Sequence, residues 1–171
     1  MKGLLTTCAA LLLLTRFARA SESVHEFECD TPAGHSSHWS TTISSSKVAI
    51  TGTIEIKEKL EHERWNPVAS VFLIAKGSGS AFGLQVYTLK SQKEFLFLRL
   101  TKPDAEAEAP FAMLPADTTT IPFSLTLAAN GTLDVTTADK SASISIKDFA
   151  AEKVMLSCST GDFRFSSVKI R

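Results

Sequence analysis

Lys153–Arg171, KVMLSCSTGDFRFSSVKIR, decides how the rest of the chain is read. Lys153–Cys158 and Phe163–Ile170 read as strands, the second with apolar and polar side chains in alternation. Period-2 alternation marks a strand with one buried face. Ser159-Thr160-Gly161-Asp162 between them has turn composition, so the stretch reads as a closing β-hairpin. In its second strand Phe163 and Phe165 are apolar at odd positions, then Val168 and Ile170 at even ones. That one-residue slip at Ser166-Ser167 reads as a β-bulge. The hairpin also holds Cys158, whose partner would be Cys29, near the other end of the chain. If the two pair, the first and last strands are neighbours.

The N-terminus supplies the compartment. Lys2 is followed by an apolar run, Leu4–Leu14, and then by Ala18-Arg19-Ala20, with small residues at the −3 and −1 positions. This predicts a signal peptide over residues 1–20, cleaved before Ser21. The run is too short, and too closely followed by Arg16 and Arg19, to serve as a membrane span. The predicted product is a single domain over 21–171, secreted or periplasmic, with no membrane span left. The leader carries Lys2, Arg16 and Arg19 and no acid, so it removes three of the 18 basic residues and none of the 18 acidic ones. A mature chain with net charge −3 has no surplus of cations to neutralise phosphates, which argues against nucleic acid as a partner. Cys8 leaves with the leader. Cys29 and Cys158 are then an even count in an oxidising compartment, which favours a structural disulfide over two free thiols. The bridge would close a loop of roughly 130 residues, for which the loop-entropy argument gives at most about 5 kcal/mol.

Working back from the C-terminus, strands follow one another with turn signals roughly every 8–12 residues, as in a sandwich or barrel. Thr120–Thr137 is a hairpin: Ile121, Phe123, Leu125 and Leu127 alternate, Asn130-Gly131 suits a tight turn, and Leu133 and Val135 alternate again. Ser141–Ile146 is a further strand. Lys47–Lys57 is the clearest, with Val48, Ile50, Ile54 and Ile56 on one face; Gly52 among them marks a bulge or a close backbone approach. Val68–Ala75 and Glu94–Thr101 are apolar on both faces, as for strands covered on two sides. Phe82–Leu89 is a strand between them. Val24–Cys29 is a short strand, Asp30–His38 a loop, and Trp39–Ile43 a weaker strand. Lys102–Asp117, with three prolines and an acidic run, reads as a long loop or a single helical turn. Ten or eleven strands and no helix are expected.

PFSLTLAANGTLDVTT, SASISI and KVMLSCSTGDFRFSSVKI together resemble the closing strands of the concanavalin A-like lectin/glucanase superfamily, including laminin-G-like modules. The resemblance is one of pattern over Thr120–Arg171 and of strand count elsewhere. It implies an all-β fold, a two-sheet antiparallel β-sandwich of jelly-roll type, whose concave sheet can bind glycans. In that family the N- and C-terminal strands often lie side by side, which suits a Cys29–Cys158 bridge. The chain departs from the family's catalytic members, which carry Glu-x-Asp-x-Glu on one strand. It also lacks the Asp/Asn-rich calcium loop of legume-type lectins and the sugar-binding pattern of galectins. No site is therefore carried over from the family.

The candidate site comes from the residues themselves. Glu61-His62-Glu63-Arg64-Trp65-Asn66 joins two carboxylates, an imidazole and an amide to a Trp whose face can stack on a sugar ring. Trp39 and Tyr87 are further aromatic candidates for the same surface. Solvation of a charged strand end, with Trp65 covering the core, is the plainer reading of the same residues. Glu26/Glu28, Glu61/Glu63 and Glu106/Glu108 have the alternate spacing that puts two carboxylates on one strand face about 7 Å apart. Glu26/Glu28 is expected on an exposed face and Glu106/Glu108 in the long loop. His35 and His38 beside Trp39 lack the carboxylate company of a metal site, and no metal or cofactor is expected. Asn130-Gly131-Thr132 is a glycosylation sequon, though the Asn is accounted for by the turn. The expectation is a secreted, non-catalytic module that binds a glycan or another extracellular surface ligand, such as a protein. The alternatives are a glycan-active hydrolase with a non-standard carboxylate pair, and a structural or protein-interaction module.

Overall fold

A computed structural model describes residues 23–102, 109–146 and 149–171. The predicted leader, Cys8, the Glu106/Glu108 pair and the acidic part of the long loop lie outside them. Ten strands and no helix occur among the described residues: β1 Ser23–Thr42, β2 Val48–Lys59, β3 Val68–Ala75, β4 Ala81–Leu89, β5 Gln92–Thr101, β6 Ala112–Pro115, β7 Thr120–Leu127, β8 Thr132–Thr137, β9 Lys140–Ser145 and β10 Ala151–Ile170.

All pairings are antiparallel. The Lys153–Arg171 stretch is not a hairpin. All of it but Arg171 lies in one 20-residue strand, β10, that serves two sheets in turn. From Ala151 to Ser159 it pairs with β3, and from Gly161 to Ile170 with β2. β1 runs along its other side for the whole length, Thr42 opposite Lys153 and Ser23 opposite Ile170. One sheet is thus ordered β6-β5-β4-β3-β10-β1 and the other β1-β10-β2-β7-β8-β9. β1 and β10 together turn the corner between them. Thr160, at φ +56°, kinks β10 there, and β1 shifts register between Thr31 and Ser36, around Gly34 at φ +79°. The turn chemistry of Ser159–Asp162 and Asp30–His38 therefore makes a corner in two continuous strands, because each has the other as a partner on both sides of the kink. The slip at Ser166-Ser167 is a bulge as expected: Ser167 has φ +52°, and the register against β2 shifts between Ser166 and Lys169.

The inner faces meet in one core. Leu73, Leu84, Leu96, Leu98 and Leu156 come from the first sheet, and Ile50, Ile54, Leu125, Leu133 and Phe165 from the second. β4 and β8 approach one another across the interior. Each such side chain contributes about 1.5–3 kcal/mol by leaving water. Gly52 marks a close approach: a Cβ there would sit 2.9 Å from the Phe123 ring and 3.1 Å from Val168. Cys29 and Cys158 lie on opposite sides of the corner, bonded to each other and buried, so the disulfide links the two sheets as well as the first and last strands. β6 falls inside the expected long loop. It is an edge strand beside β5, a place where Pro115 removes no needed donor.

The outer faces differ. That of the second sheet is ionic: Arg164 pairs with Glu26 and Glu28, and Lys57 with Glu28. That of the first sheet carries Tyr87, Phe95, Phe97 and Arg99. Arg99 lies 4.9 Å over the Tyr87 ring and donates to Gln85 at 2.7 Å. Phe72 and Phe97 are buried on this face although they stand apart from the inter-sheet core.

Candidate functional site

The corner in β10 positions a loop. After Lys59 the second strand leaves its sheet, and residues 60–67 cross to β3. Leu60 N–H donates to the Thr160 carbonyl (3.1 Å), and the Ser159 hydroxyl donates to the Asn66 carbonyl (3.3 Å). Thr88 N–H donates to the Pro67 carbonyl. The Lys90 ammonium reaches the Glu63 carbonyl from the β4–β5 turn. Inside the loop, His62 Nδ1 accepts from the backbone N–H groups of both Arg64 and Trp65, each at 3.2 Å. The His62 ring lies over Gly34 of β1, where a Cβ would fall 2.7 Å from Nε2. Gly34 in turn donates its N–H to the Thr160 hydroxyl at 3.2 Å. The kinked residue of β10 thus organises both the segment beneath His62 and the start of the loop.

Between this loop and the β4–β5 turn lies a pocket of about 770 Å³. Glu61, His62, Glu63, Trp65 and Asn66 line it with Leu60 and Pro67 on the loop side, and Lys59, Thr88, Leu89, Lys90 and Lys93 line the rest. Trp65 is 42% exposed, unusual for a side chain of that size and apolar area. Glu61 forms an ion pair with Lys93, which holds its carboxyl below the usual carboxylate range. Lys59 is tied to the Ala116 carbonyl at 2.6 Å. The pocket therefore offers one aromatic face and a rim of donors and acceptors of both signs. Its volume lies within the range of about 300–1,000 Å³ that small-ligand sites occupy.

No protein-family model matches the chain, and no curated protein matches it in sequence. Its three-dimensional structure does have counterparts. The CBM2 module of an evolved Dit from Lactobacillus casei BL23 phage J-1 superposes with a TM-score of 0.56 at 10% identity, over 78% of this chain and 67% of that one. A legume lectin-like domain from Entamoeba histolytica gives 0.54 at 13% identity, over 84% and 82%. The carbohydrate recognition domain of Emp46p, in a potassium-bound form, gives 0.50 at 14%, over 87% and 85%. The fold is a concanavalin A-like jelly roll. At these identities the likeness is one of fold.

On this jelly roll the sequence candidates separate. Glu61, His62, Glu63, Trp65 and Asn66 come together on the pocket. Tyr87 sits instead on the outer face of the first sheet, its ring 5.6 Å from that of Phe97. Trp39 packs against the core at the edge strand β1, 4.8 Å from the His25 ring contributed by the other half of the same strand. The three aromatics therefore do not line one surface. Glu26 and Glu28 are exposed, as expected, and engaged by Arg164 and Lys57. Lys57 lowers the Glu28 carboxyl. His38 lies opposite Ser157 on β1, and His35 falls within the register shift. Among the pocket residues that sequence reasoning missed, the charged ones are Lys59, Lys90 and Lys93. The only signal for the last two was a polar tetrad between two strands, Lys90–Lys93, some thirty residues from the loop they face.

Proposed function

We propose that the chain is an exported glycan-binding module, and that its ligand enters the pocket between the 60–67 loop and the β4–β5 turn. The observation that carries this reading is Trp65, half-exposed on the wall of a pocket that it shares with apolar Leu60, Pro67 and Leu89 and with a set of hydrogen-bonding side chains. A pyranose has an apolar C–H face and a periphery of hydroxyls. Trp65 supplies a flat apolar surface for the first. Glu63, Asn66 and Lys93 supply acceptors and donors for the second. The predicted leader and the Cys29–Cys158 disulfide support export to an oxidising compartment. The lectin-like and carbohydrate-binding counterparts of the fold add weight without identifying a sugar.

Within this reading His62 is a positioning residue. Its Nδ1 is occupied by the loop's own backbone, and its ring holds the loop against β1. Lys93 holds the Glu61 carboxyl below the usual carboxylate range, the opposite of what a glycosidic general acid needs. The test is a glycan microarray probed with the mature chain and with Trp65→Ala. Selective binding to a set of glycans, lost at least tenfold in the variant (about 1.4 kcal/mol), is expected. Binding that survives the substitution unchanged would remove the pocket from consideration.

A further inference from the structure

Asn130 stands in the β7–β8 hairpin, and the geometry points to its being a site of covalent N-glycosylation. The sequence has two asparagines, and only Asn130 heads an Asn-x-Thr triplet. The turn explains why an Asn suits this place: its Oδ1 accepts the backbone N–H of Thr132 at 3.0 Å. That same bond selects which atom of the amide remains available. Oδ1 is turned into the chain, and Nδ2 has no hydrogen-bond partner among the described residues. The side chain is exposed, and Gly131 at φ +78° completes the reversal. The turn role and the modification are therefore compatible rather than alternative.

The step is a substitution at an anomeric carbon. Nδ2 forms the new C–N bond and loses one of its two protons. The C–O bond to the diphosphate of a polyprenyl-diphosphate-linked oligosaccharide breaks, and the diphosphate departs with the electron pair. The product amide keeps Oδ1, so the bond to Thr132 N–H survives attachment. Space for the first sugar exists beside the turn. A cleft of about 530 Å³ is lined there by Lys47, Val48, Leu127, Ala128, Asn130 and Arg171. The glycan would also stand clear of the Trp65 pocket. The hairpin turn lies near Val48, which pairs with Leu127, whereas the pocket begins at Lys59. The two ends of β2 are roughly 35 Å apart at about 3.3 Å per residue.

The test is expression of the full chain in a eukaryotic secretory host, together with the chain from Ser21 behind the host's own leader. The second form makes entry into the lumen independent of residues 1–20. Intact mass should show one added oligosaccharide, removed by peptide N-glycosidase with conversion of Asn130 to Asp. The addition should vanish in Asn130→Gln and in Thr132→Ala, the latter keeping the asparagine. Secreted protein of unmodified mass from both forms would overturn the inference. So would a glycan that persists in Thr132→Ala.

Discussion

Replacing both Cys29 and Cys158 by alanine tests the seam between β1 and β10. The bridge spans 129 residues of sequence. Loop-closure entropy for a span of that length amounts to about 5 kcal/mol at 25 °C. Native bridges removed from small domains have typically cost about 2–5 kcal/mol, against a total stability of about 5–15 kcal/mol for a domain. The β1–β10 ladder persists on both sides of the corner without the bridge, so the variant should still fold. Both sulfurs are buried, and alanine leaves only a small void beside Phe163. The expectation is a fall of about 3–5 kcal/mol in guanidinium unfolding, or about 6–20 °C in Tm for a domain of this size. The slope of unfolding free energy against denaturant should also rise, because an untethered unfolded chain exposes more surface. Wild-type protein unfolded under strong reductant should follow the same curve as the variant, which separates the tether from the packing change. A double variant with the midpoint and slope of the oxidised protein would refute the argument.

Three further outcomes follow from particular contacts. Gly83→Ala would place a Cβ 2.1 Å from the Val71 carbonyl oxygen, at φ +155°, and should cost more than about 2 kcal/mol in denaturant unfolding; an unchanged midpoint would show that β3 and β4 separate freely there. Trp39→Ala should lower stability by about 1–3 kcal/mol and spare glycan binding, whereas Trp65→Ala should do the reverse; matching effects of the two on either measurement would contradict their separate placement. Lys57 lowers the Glu28 carboxyl from its ordinary 4.5, and Glu28 raises the Lys57 amine from its ordinary 10.5. The pair's support for the fold is therefore fully present between those values, fading as pH falls through the lowered carboxyl value or rises through the raised amine value. Lys57→Met should flatten the acid limb of a stability–pH profile, and an identical limb would rule the pair out as a contributor.

Local pattern revealed whatever depended on neighbours in sequence. The alternation in β2, the Asn130-Gly131 hairpin and the slip at Ser166-Ser167 could be read directly, because side-chain direction and turn chemistry are properties of a few adjacent residues. The corner could not. Thr160 has the backbone of a turn residue, and what makes it a kink is β1, more than a hundred residues away, pairing on both sides of it. In hindsight the shift from even to odd core positions between Cys158 and Phe163 is the same signal as the later one at Ser166-Ser167, and both mark positive φ within one strand. β6 was hidden by the prolines of its segment, of which only Pro115 lies in the strand, at an edge position that tolerates it. Strand β5 is apolar on both faces because its outer side carries Phe95 and Phe97 in an aromatic layer with Tyr87. At the site, the Glu61–Asn66 cluster stood out by composition. The role of His62 did not, since it follows from two backbone N–H groups converging on Nδ1. Lys90 and Lys93 reach the pocket through tertiary folding alone.

The proposed ligand site is the pocket beside Trp65, not the aromatic outer face of the first sheet. The most direct measurement is an amide-shift titration of isotope-labelled mature protein with the best microarray glycan. Binding in the pocket should concentrate the shifts in residues 60–67 and 88–93, together with the Trp65 indole N–H. Shifts concentrated instead at Gln85, Tyr87, Phe97 and Arg99, with the 60–67 loop silent, would contradict it.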